Sequence, residues 1–293
     1  MKHVTSILVA GIGLAAIGVL QKMVGAGVDT STAVFFRILT ALLIIFTFIA
    51  ATGRLHELKL KPRELPSFII FGIVLGAGMW LYFAAVIHAP VSTVIIISFL
   101  SPVITAFLAI VLLKERASRL AYAGMLLAIF GAAIVVWEGL TFQQQYLQGY
   151  ALATLMTVSG ALGAILTKYE SNKYTLSDVL FWPFLFASMT VGALALFQGI
   201  TFSPTQFDLA VLLGIGTITA ATYLAYDYGI TELEAHTTSA LVKVSSFAGA
   251  MVMAFILLGE GITLVNLLGG TVLIASAYLI NKGRGKRLHA HYK

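Results

Sequence analysis

Lys243 lies inside a long apolar stretch of the chain and is the strongest candidate for binding chemistry in the sequence. If that stretch spans a bilayer, a lysine near its centre costs about 2.5 to 3.5 kcal/mol, so its ammonium normally faces a cavity or a partner. The neighbours Ser239, Ser245 and Ser246 are typical of a helix that lines water, and Ser246 joins Lys243 in the predicted pathway. The alternative is a lysine that snorkels toward the nearer membrane face. In a pathway, its charge favours a substrate with a carboxylate.

Asp227 precedes Lys243 across one short connection and is its candidate partner, although Lys243 is expected to lie about two helical turns deeper. The alternative is that Asp227 only marks the membrane interface. Tyr223 and Tyr226 are three residues apart and therefore share a helix face. They are candidates for the same pathway, with an interfacial tyrosine belt as the alternative.

A further group of candidates lies in the third and fourth apolar segments. Trp80 and Tyr82 stand within the third segment and predict an aromatic wall for a substrate, although core or lipid contact suits them equally. Pro102 removes a backbone hydrogen bond inside the fourth segment, which predicts a kink or hinge. The hydroxyls of Ser98 and Ser101 can satisfy the freed backbone group. All five residues belong to the predicted substrate pathway.

Three more charged residues are assigned as gate or structural charges. Arg37 lies inside the second segment, where a structural ion pair (for example with Asp29) or an outer gate is favoured over substrate contact. Glu115 and Glu260 occupy equivalent ends of the fourth and ninth segments. We expect each carboxylate to cap the following helix, because a negative charge near a helix N-terminus is favourable. A role in transport is the alternative.

The patterns of common enzymes are absent from the sequence. The chain has no cysteine and no residue cluster with metal-ligand spacing, so neither a disulfide framework nor a metal site is predicted. It lacks the HExxH, GxSxG and phosphate-loop motifs, and no cofactor is expected. An intramembrane enzyme would need a nucleophile–base or metal constellation at membrane depth, and none is visible. Asp227 and His88 are the modest candidates for proton coupling, although a lone histidine there is more typical of an interface.

The elements that must position these residues follow from composition. Of the 293 residues, 59% are hydrophobic and 10% are charged, against roughly 25% charged in soluble domains. Continuous apolar runs of about 20 residues predict bilayer-spanning helices, not the alternating strands of a barrel. We therefore predict an all-α integral membrane protein of ten transmembrane helices. The segments are 4–23, 31–52, 67–87, 91–113, 120–137, 149–168, 179–197, 208–227, 236–258 and 262–281.

The basic residues predict the orientation. With a cytoplasmic N-terminus, 15 of the 18 lysines and arginines fall on the inner side, as the positive-inside rule requires. They are Lys2, Arg54, Lys59, Lys61, Arg63, Lys114, Arg116, Arg119, Lys168, Lys173, Lys282, Arg284, Lys286, Arg287 and Lys293. Both termini are therefore predicted to be cytoplasmic. The net charge of +6 is explained by this bias, and no nucleic-acid partner is expected.

An internal repeat appears at an offset of about 145 residues. The run from Leu112 to Glu115 matches the run from Leu257 to Glu260, and Gln21-Lys22 matches Thr167-Lys168 with a slip of one residue. Five helices in each half place the halves in opposite orientations, which is an inverted-topology repeat. We predict repeats at 4–138 and 148–282, with a basic cytoplasmic tail at 283–293. Within the first repeat, the GxxxG pattern of Gly72 and Gly76 predicts close helix packing.

The motifs then resemble a known family. The run from Ala89-Pro90-Val91-Ser92 through Leu100-Ser101-Pro102 to Leu113-Lys114-Glu115-Arg116 resembles the EamA signature of the drug/metabolite transporter superfamily. The second half echoes it from Tyr226 to Leu258-Gly259-Glu260. The resemblance implies a ten-helix metabolite carrier of a bacterial-type inner membrane, often an exporter of amino acids. It also implies a role for Arg37 without naming one. Phe247 stands at the position that matches Pro102, so the proline has no counterpart in the ninth helix.

These observations predict a secondary carrier that exports a small metabolite, such as an amino acid, by alternating access. The predicted cavity lies between the repeats and is lined by segments that include three, four, eight and nine. The expected partners are a small-molecule substrate, the lipid bilayer and protons as a candidate coupling ion, in a monomer or homodimer. A facilitative channel is the alternative, and an intramembrane enzyme or a non-transporting helper is less favoured.

Overall fold

The computed structural model describes residues 2–25, 27–101, 103–104, 107–108, 118–142, 144–171, 173–200, 202–230, 235–261 and 263–283. These residues form ten α-helices and two short 3-10 helices, and they include no β-strand. The α-helices are α1 Lys2–Lys22, α2 Thr30–Ala51, α3 Leu65–His88, α4 Val91–Ser98, α5 Arg119–Phe142, α6 Leu147–Ser171, α7 Leu176–Gln198, α8 Gln206–Ile230, α9 Ala235–Leu258 and α10 Leu264–Gly283. The 3-10 helices are Arg54–Glu57 and Gln144–Tyr146. Each of the ten predicted segments overlaps one α-helix.

Seven spans in the described part of the chain are long and apolar enough to cross a membrane. They fall in α1, α2, α3, α6, α7, α8 and α9. The described part of α4 has only eight residues, and α5 and α10 contain shorter apolar runs, Tyr122–Gly131 and Leu267–Ser276. The structure therefore establishes an all-helical, multi-pass membrane protein within these residues. The count of ten spans remains a prediction.

The surface is apolar where a soluble protein would be charged. Phe197 is 91% exposed, Leu196 71% and Leu126 69%. Large apolar side chains at this exposure are stable where the surrounding solvent is hydrocarbon, because lipid chains do not penalise them.

Glycines bring the helices together, and their contacts show the relative directions of the helices. A Cβ atom added at Gly11 of α1 would lie 2.6 Å from the Val242 carbonyl oxygen of α9, and Gly249 of α9 faces Ala15 further along α1. Helices α1 and α9 therefore run in the same direction. Gly13 of α1 instead faces Thr222 of α8, while the Gly25 amide beyond α1 donates to Asp208 near the start of α8. Helices α1 and α8 are therefore antiparallel.

The predicted close packing at the GxxxG pattern is confirmed. A Cβ atom added at Gly72 would lie 2.9 Å from the Ala187 amide nitrogen, and one added at Gly76 would lie 3.1 Å from Val191. Both partners belong to α7. The pattern thus holds α3 against a helix of the other half of the chain, not against a sequence neighbour.

The main helix contacts all join the two halves of the chain. Helix α1 packs on α8 and α9, while α6 packs on α3 and α4. Helix α2 packs on α7 and α8, α3 packs on α7, and α5 packs on α10. Neither half forms a separate domain, so a cavity at the centre of this bundle is necessarily built from both.

Candidate functional site

The described helices enclose a central cavity of about 370 Å³. Its walls come from α1, α2, α3 and α4 (with Ser101 just beyond) in the first half and from α6, α7, α8 and α9 in the second. The sequence predicted walls from the third, fourth, eighth and ninth segments, and all four contribute. The structure adds an equal number of helices that the sequence did not point to.

Lys243 of α9 is one of the cavity residues. Its Nζ donates to the Ser98 carbonyl oxygen at 3.2 Å and to the Ser98 hydroxyl at 3.0 Å, and it lies 5.8 Å from the centre of the Phe99 ring. Among the described side chains it has no carboxylate within ion-pair distance. The side chain of its predicted partner, Asp227, lies outside the described residues. The hydrogen bonds between the Lys243 ammonium and Ser98 therefore join α9 to α4. Because Ser98 is neutral, it does not neutralise the charge of the ammonium.

Arg37 of α2 also lines the cavity, although it is only 3% exposed. Its Nε donates to the Thr219 hydroxyl of α8 at 3.0 Å. Its Nη1 has no hydrogen-bond partner among the described residues. Asp29, the ion-pair partner suggested from the sequence, instead caps α2 by accepting from the Thr32 amide at 2.9 Å and from the Thr32 hydroxyl. The sequence favoured a structural or gating role for Arg37, whereas the structure places it in the cavity wall.

The charged residues in the described cavity wall are all positive. Its described residues include two cations, Arg37 and Lys243, and no aspartate or glutamate. Three tyrosines predicted for the pathway (Tyr82, Tyr223 and Tyr226) also line it, and the Tyr82 hydroxyl donates to the Leu14 carbonyl oxygen at 3.2 Å. A cavity with this lining suits a ligand that brings negative charge, because an uncompensated buried cation is costly.

Several lining residues were missed by the sequence analysis. Helix α6 presents Ser159, Gly163 and Thr167, which are four residues apart and so lie on one face. The Ser159 hydroxyl donates to the Val74 carbonyl oxygen of α3 at 2.7 Å. This row of small and polar residues at helical spacing is the signal that could have found them. Pro183, inside α7, is a lining residue that no comparable pattern marked.

Away from the cavity, an ion pair joins three helices at the end of the bundle where α1 ends. The Lys22 Nζ lies 2.7 Å from Glu260 Oε1 and also donates to the Ala89 carbonyl oxygen at 3.2 Å. The Glu260 carboxylate accepts from the Val91 amide, at 3.0 Å to Oε2. The sequence predicted that Glu260 caps the helix that follows it. It instead caps α4, because the ends of α1, α3 and α9 meet the start of α4 at this point.

The same end of the bundle carries further contacts between the two halves. The Ser203 amide donates to the Gly27 carbonyl oxygen at 2.8 Å, and Val28 forms a single antiparallel bridge with Phe202. The Ser31 hydroxyl of α2 donates to the Gln198 side chain of α7 at 2.6 Å. We call this region, from Lys22–Glu260 to Ser31–Gln198, the closed end. Lys22 lies eight residues beyond the cavity residue Leu14, or roughly 12 Å along α1.

Some predicted site residues are not brought to the cavity. The Trp80 ring nitrogen donates to the Ser31 hydroxyl at 2.9 Å, so Trp80 belongs to the packing of α2 and α3 and is not a lining residue. His88 is exposed at the end of α3. Pro102 and Glu115 lie outside the described residues. Ser246 does line the cavity. The described residues contain no group of three potential metal ligands.

Comparison with known proteins places this geometry in context. The model of the EamA-like transporter family matches residues 1–137 and again residues 147–282. The pseudopaline exporter CntI of Pseudomonas aeruginosa is 21% identical, with 94% of each chain covered. The biotin transporter of Salmonella typhimurium is 26% identical, covering 77% of this chain and 75% of its own. The probable terminal-alkyne amino-acid exporter of Streptantibioticus cattleyicolor is 27% identical, covering 79% and 78%.

A solved crystal structure has a similar fold. It aligns with a TM-score of 0.69 at 15% identity, covering 94% of this chain and 96% of its own. At this identity the likeness concerns the helical fold alone.

Proposed function

The chain belongs to the EamA-like transporter family, and from this premise we propose that it is a secondary transporter that exports a small carboxylate-bearing metabolite, such as an amino acid, by alternating access. The observation that carries the proposal is the central cavity, which both halves of the chain line and whose described wall holds cations and no acid. Lys243 binds the substrate carboxylate in this account. Ser98 holds the lysine in place, and the tyrosines and small residues contact the rest of the substrate.

The proposed architecture is ten transmembrane helices in two inverted repeats, residues 4–138 and 148–282, followed by the basic tail 283–293. The packing supports this, because the main helix contacts have the symmetry of a five-helix repeat. When each helix in such a contact is replaced by the helix five positions away in the chain, the resulting pair is also in contact. The α1–α8 contact becomes α6–α3, and α2–α8 becomes α7–α3. The two matches of the family model divide the chain at the same place. A pair of inverted repeats provides the two states that alternating access requires.

The structure corresponds, in this account, to the state closed toward the outside. With the N-terminus in the cytoplasm, the Lys22–Glu260 pair lies at the outer side and the cavity extends toward the inner side. Tyr226 and Thr167, near the inner ends of α8 and α6, are among its lining residues. Substrate would enter from the cytoplasm, and outward opening would separate the contacts of the closed end. The protein would then act as an efflux carrier of the bacterial inner membrane, as a monomer or homodimer.

The named relatives support the substrate class in part. One is a probable amino-acid exporter by its name, and an amino acid carries a carboxylate. Proton coupling through Asp227 or His88 is compatible with this scheme, and so is facilitated diffusion. The alternatives are a channel-like pathway, an intramembrane enzyme and a non-transporting helper.

A binding screen followed by transport tests the proposal. The purified protein in nanodiscs is heated with a panel of amino acids and carboxylic acids, and amines of matched size serve as the control. We expect carboxylates to raise the melting temperature and amines to leave it unchanged. Proteoliposomes should then take up the best ligand at a rate that saturates. Stabilisation by amines alone would contradict the carboxylate assignment, an unsaturable rate would indicate a channel, and a chemically altered ligand would indicate an enzyme.

The orientation has a direct test, because the chain has no native cysteine and a single introduced cysteine has no background. A membrane-impermeant maleimide should label Glu260→Cys from outside intact cells and should label Glu115→Cys only after the cytoplasmic face is exposed. The reverse labelling would overturn the topology and, with it, the assignment of export.

A further inference from the structure

Two cations in the cavity wall, not one, lack an acidic partner among the described residues. Lys243 donates to the carbonyl and hydroxyl oxygens of a single described residue, Ser98, which is neutral. Among the described residues, Arg37 donates through its Nε to the neutral hydroxyl of Thr219. A buried charge is normally paired, because removing it from water is costly unless an opposite charge or several hydrogen bonds replace the solvent. The described cavity wall thus leaves two positive charges without an acidic partner, whereas the substrate proposed above brings one carboxylate.

The guanidinium of Arg37 is fixed and incompletely bonded. Its Nε is oriented by Thr219, whose hydroxyl is itself held by the Ile215 carbonyl oxygen at 2.8 Å. Arginine is planar and carries its donors in a rigid fork, so one oriented nitrogen fixes the direction of the others. The Nη1 atom, buried and without a partner among the described residues, is therefore a positioned donor. A carboxylate or phosphate oxygen is the acceptor that such a donor binds most strongly.

The two cations lie at different depths in the cavity. The contacts along α1 give the relative depths. Gly11 faces α9 at Val242, next to Lys243, whereas Gly13 faces α8 at Thr222. Thr219 is three residues before Thr222, and α8 runs opposite to α1, so the Arg37–Thr219 contact lies nearer the closed end. Measured between these backbone levels, the separation along the bundle axis is one to two helical turns, or roughly 5 to 10 Å. This is the length of a small molecule with an anionic group at each end.

We propose that Arg37 forms a second anion subsite in the cavity, so that the transported substrate carries two anionic groups, one bound at Lys243 and the other at Arg37. The simplest members of this class are acidic amino acids and other dicarboxylates. The inference rests on the proposed function and narrows its substrate class. It also gives Arg37 a role in binding, in place of the structural or gating role that the sequence favoured.

Pairs of ligands that differ in one charge test this inference. The probes are aspartate with asparagine, glutamate with glutamine, and 2-aminoadipate with its side-chain amide, each titrated on the full-length protein in nanodiscs. Both members of a pair carry the first carboxylate and have nearly the same shape. We expect at least one dicarboxylate to bind about tenfold more tightly than its amide, which corresponds to about 1.4 kcal/mol. The ligand pairs differ in side-chain length, because the depths of the two cations alone do not set the best distance between the two anionic groups of a ligand.

Two variants assign the preference to residues. Arg37→Gln should lower the affinity for the dicarboxylate to that of its amide and leave the affinity for the amide unchanged. Arg37→Lys should retain part of the preference. Lys243→Gln should weaken both members of each pair, because both use the first carboxylate at Lys243. If Arg37→Gln does not fold, Arg37→Lys takes its place, and a preference for the acid as large as that of the wild-type protein would overturn the inference.

The failures of the two proposals are distinguishable. Equal affinities for acid and amide in the wild-type protein would overturn the second subsite and leave the carboxylate transporter intact. A preference for the acid that persists in Arg37→Gln would place the second charge elsewhere and also overturn the inference. If no amino acid or carboxylic acid stabilises the protein at all, the proposed function itself fails.

Discussion

Lys22 and Lys243 are the same residue type in the same bundle, and their surroundings are opposite. At the closed end, Lys22 has a carboxylate at 2.7 Å, and that carboxylate also caps α4 through the Val91 amide. In the cavity, Lys243 donates to the carbonyl and hydroxyl of Ser98, and no described carboxylate lies within ion-pair distance of it. A cation whose charge is neutralised within the fold holds elements together. A cation that no described carboxylate neutralises is the group that, in our proposal, binds a negatively charged substrate.

Glycines show the same contrast between packed regions and the cavity. A Cβ atom added at Gly72 would collide with α7, while one added at Gly163 would have nothing within 4 Å. The first glycine permits contact between helices, and the second lines the cavity. Composition alone does not distinguish them, because both are glycines inside apolar helices.

Filling the cavity should give the largest effect on transport. Gly163→Phe places a ring in the cavity, so we expect uptake by proteoliposomes to fall more than tenfold with little change in melting temperature. Gly214→Phe is the matched control, since Gly214 also has nothing within 4 Å of an added Cβ atom but does not line the cavity. Equal transport by the two variants would show that the cavity is not the pathway.

Crowding a packed glycine should instead affect stability. For Gly72→Ala we expect a loss of about 1 to 3 kcal/mol, because the added methyl group overpacks the α3–α7 contact. Gly163→Ala should leave the stability nearly unchanged or raise it slightly, since alanine favours the helix. Thermal or denaturant unfolding in detergent measures the difference. A larger loss of stability in Gly163→Ala than in Gly72→Ala would contradict the distinction between packed glycines and cavity glycines.

The ion pair at the closed end should show a smaller coupling. Its side chains are 28% and 13% exposed, so a double-mutant cycle with Lys22→Gln and Glu260→Gln should give about 1 kcal/mol. The charge-exchanged double variant, Lys22→Glu with Glu260→Lys, should recover part of this coupling. It should not recover all of it, because a lysine cannot accept from the Val91 amide. Additive losses would mean that the pair does not hold the closed end.

Much of the helical fold could be predicted from the sequence, because long apolar runs report directly on a bilayer. The helices built around Lys243, Tyr223 and Ser98 are where the apolar segments indicated. The site was less predictable, since it depends on which helices of opposite halves meet. Trp80 lies in the correct helix but on a face that packs against Ser31. Arg37 was assigned a structural or gating role because its contact with Thr219, on a helix of the other half, arises only in three dimensions.

The same limit explains Glu260. Local sequence offered only the following helix as a target for its carboxylate, while the observed partners, Lys22 and Val91, come from the other half of the chain. Contacts between distant segments carry most of the site in this protein. The repeat is the one long-range signal in the sequence, and it indicates symmetry without giving the partners.

The most direct test of the account compares Lys243→Gln with Lys22→Gln in the same two assays, using the best carboxylated ligand from the screen. Lys243→Gln should lower saturable uptake by proteoliposomes more than tenfold. It should leave the melting temperature unchanged or higher, because it removes a charge that no described carboxylate neutralises. Lys22→Gln should lower the melting temperature and leave ligand affinity within about twofold, in line with the loss of one partly exposed ion pair. Full transport by Lys243→Gln, with its binding of the carboxylate intact, would contradict the central claim.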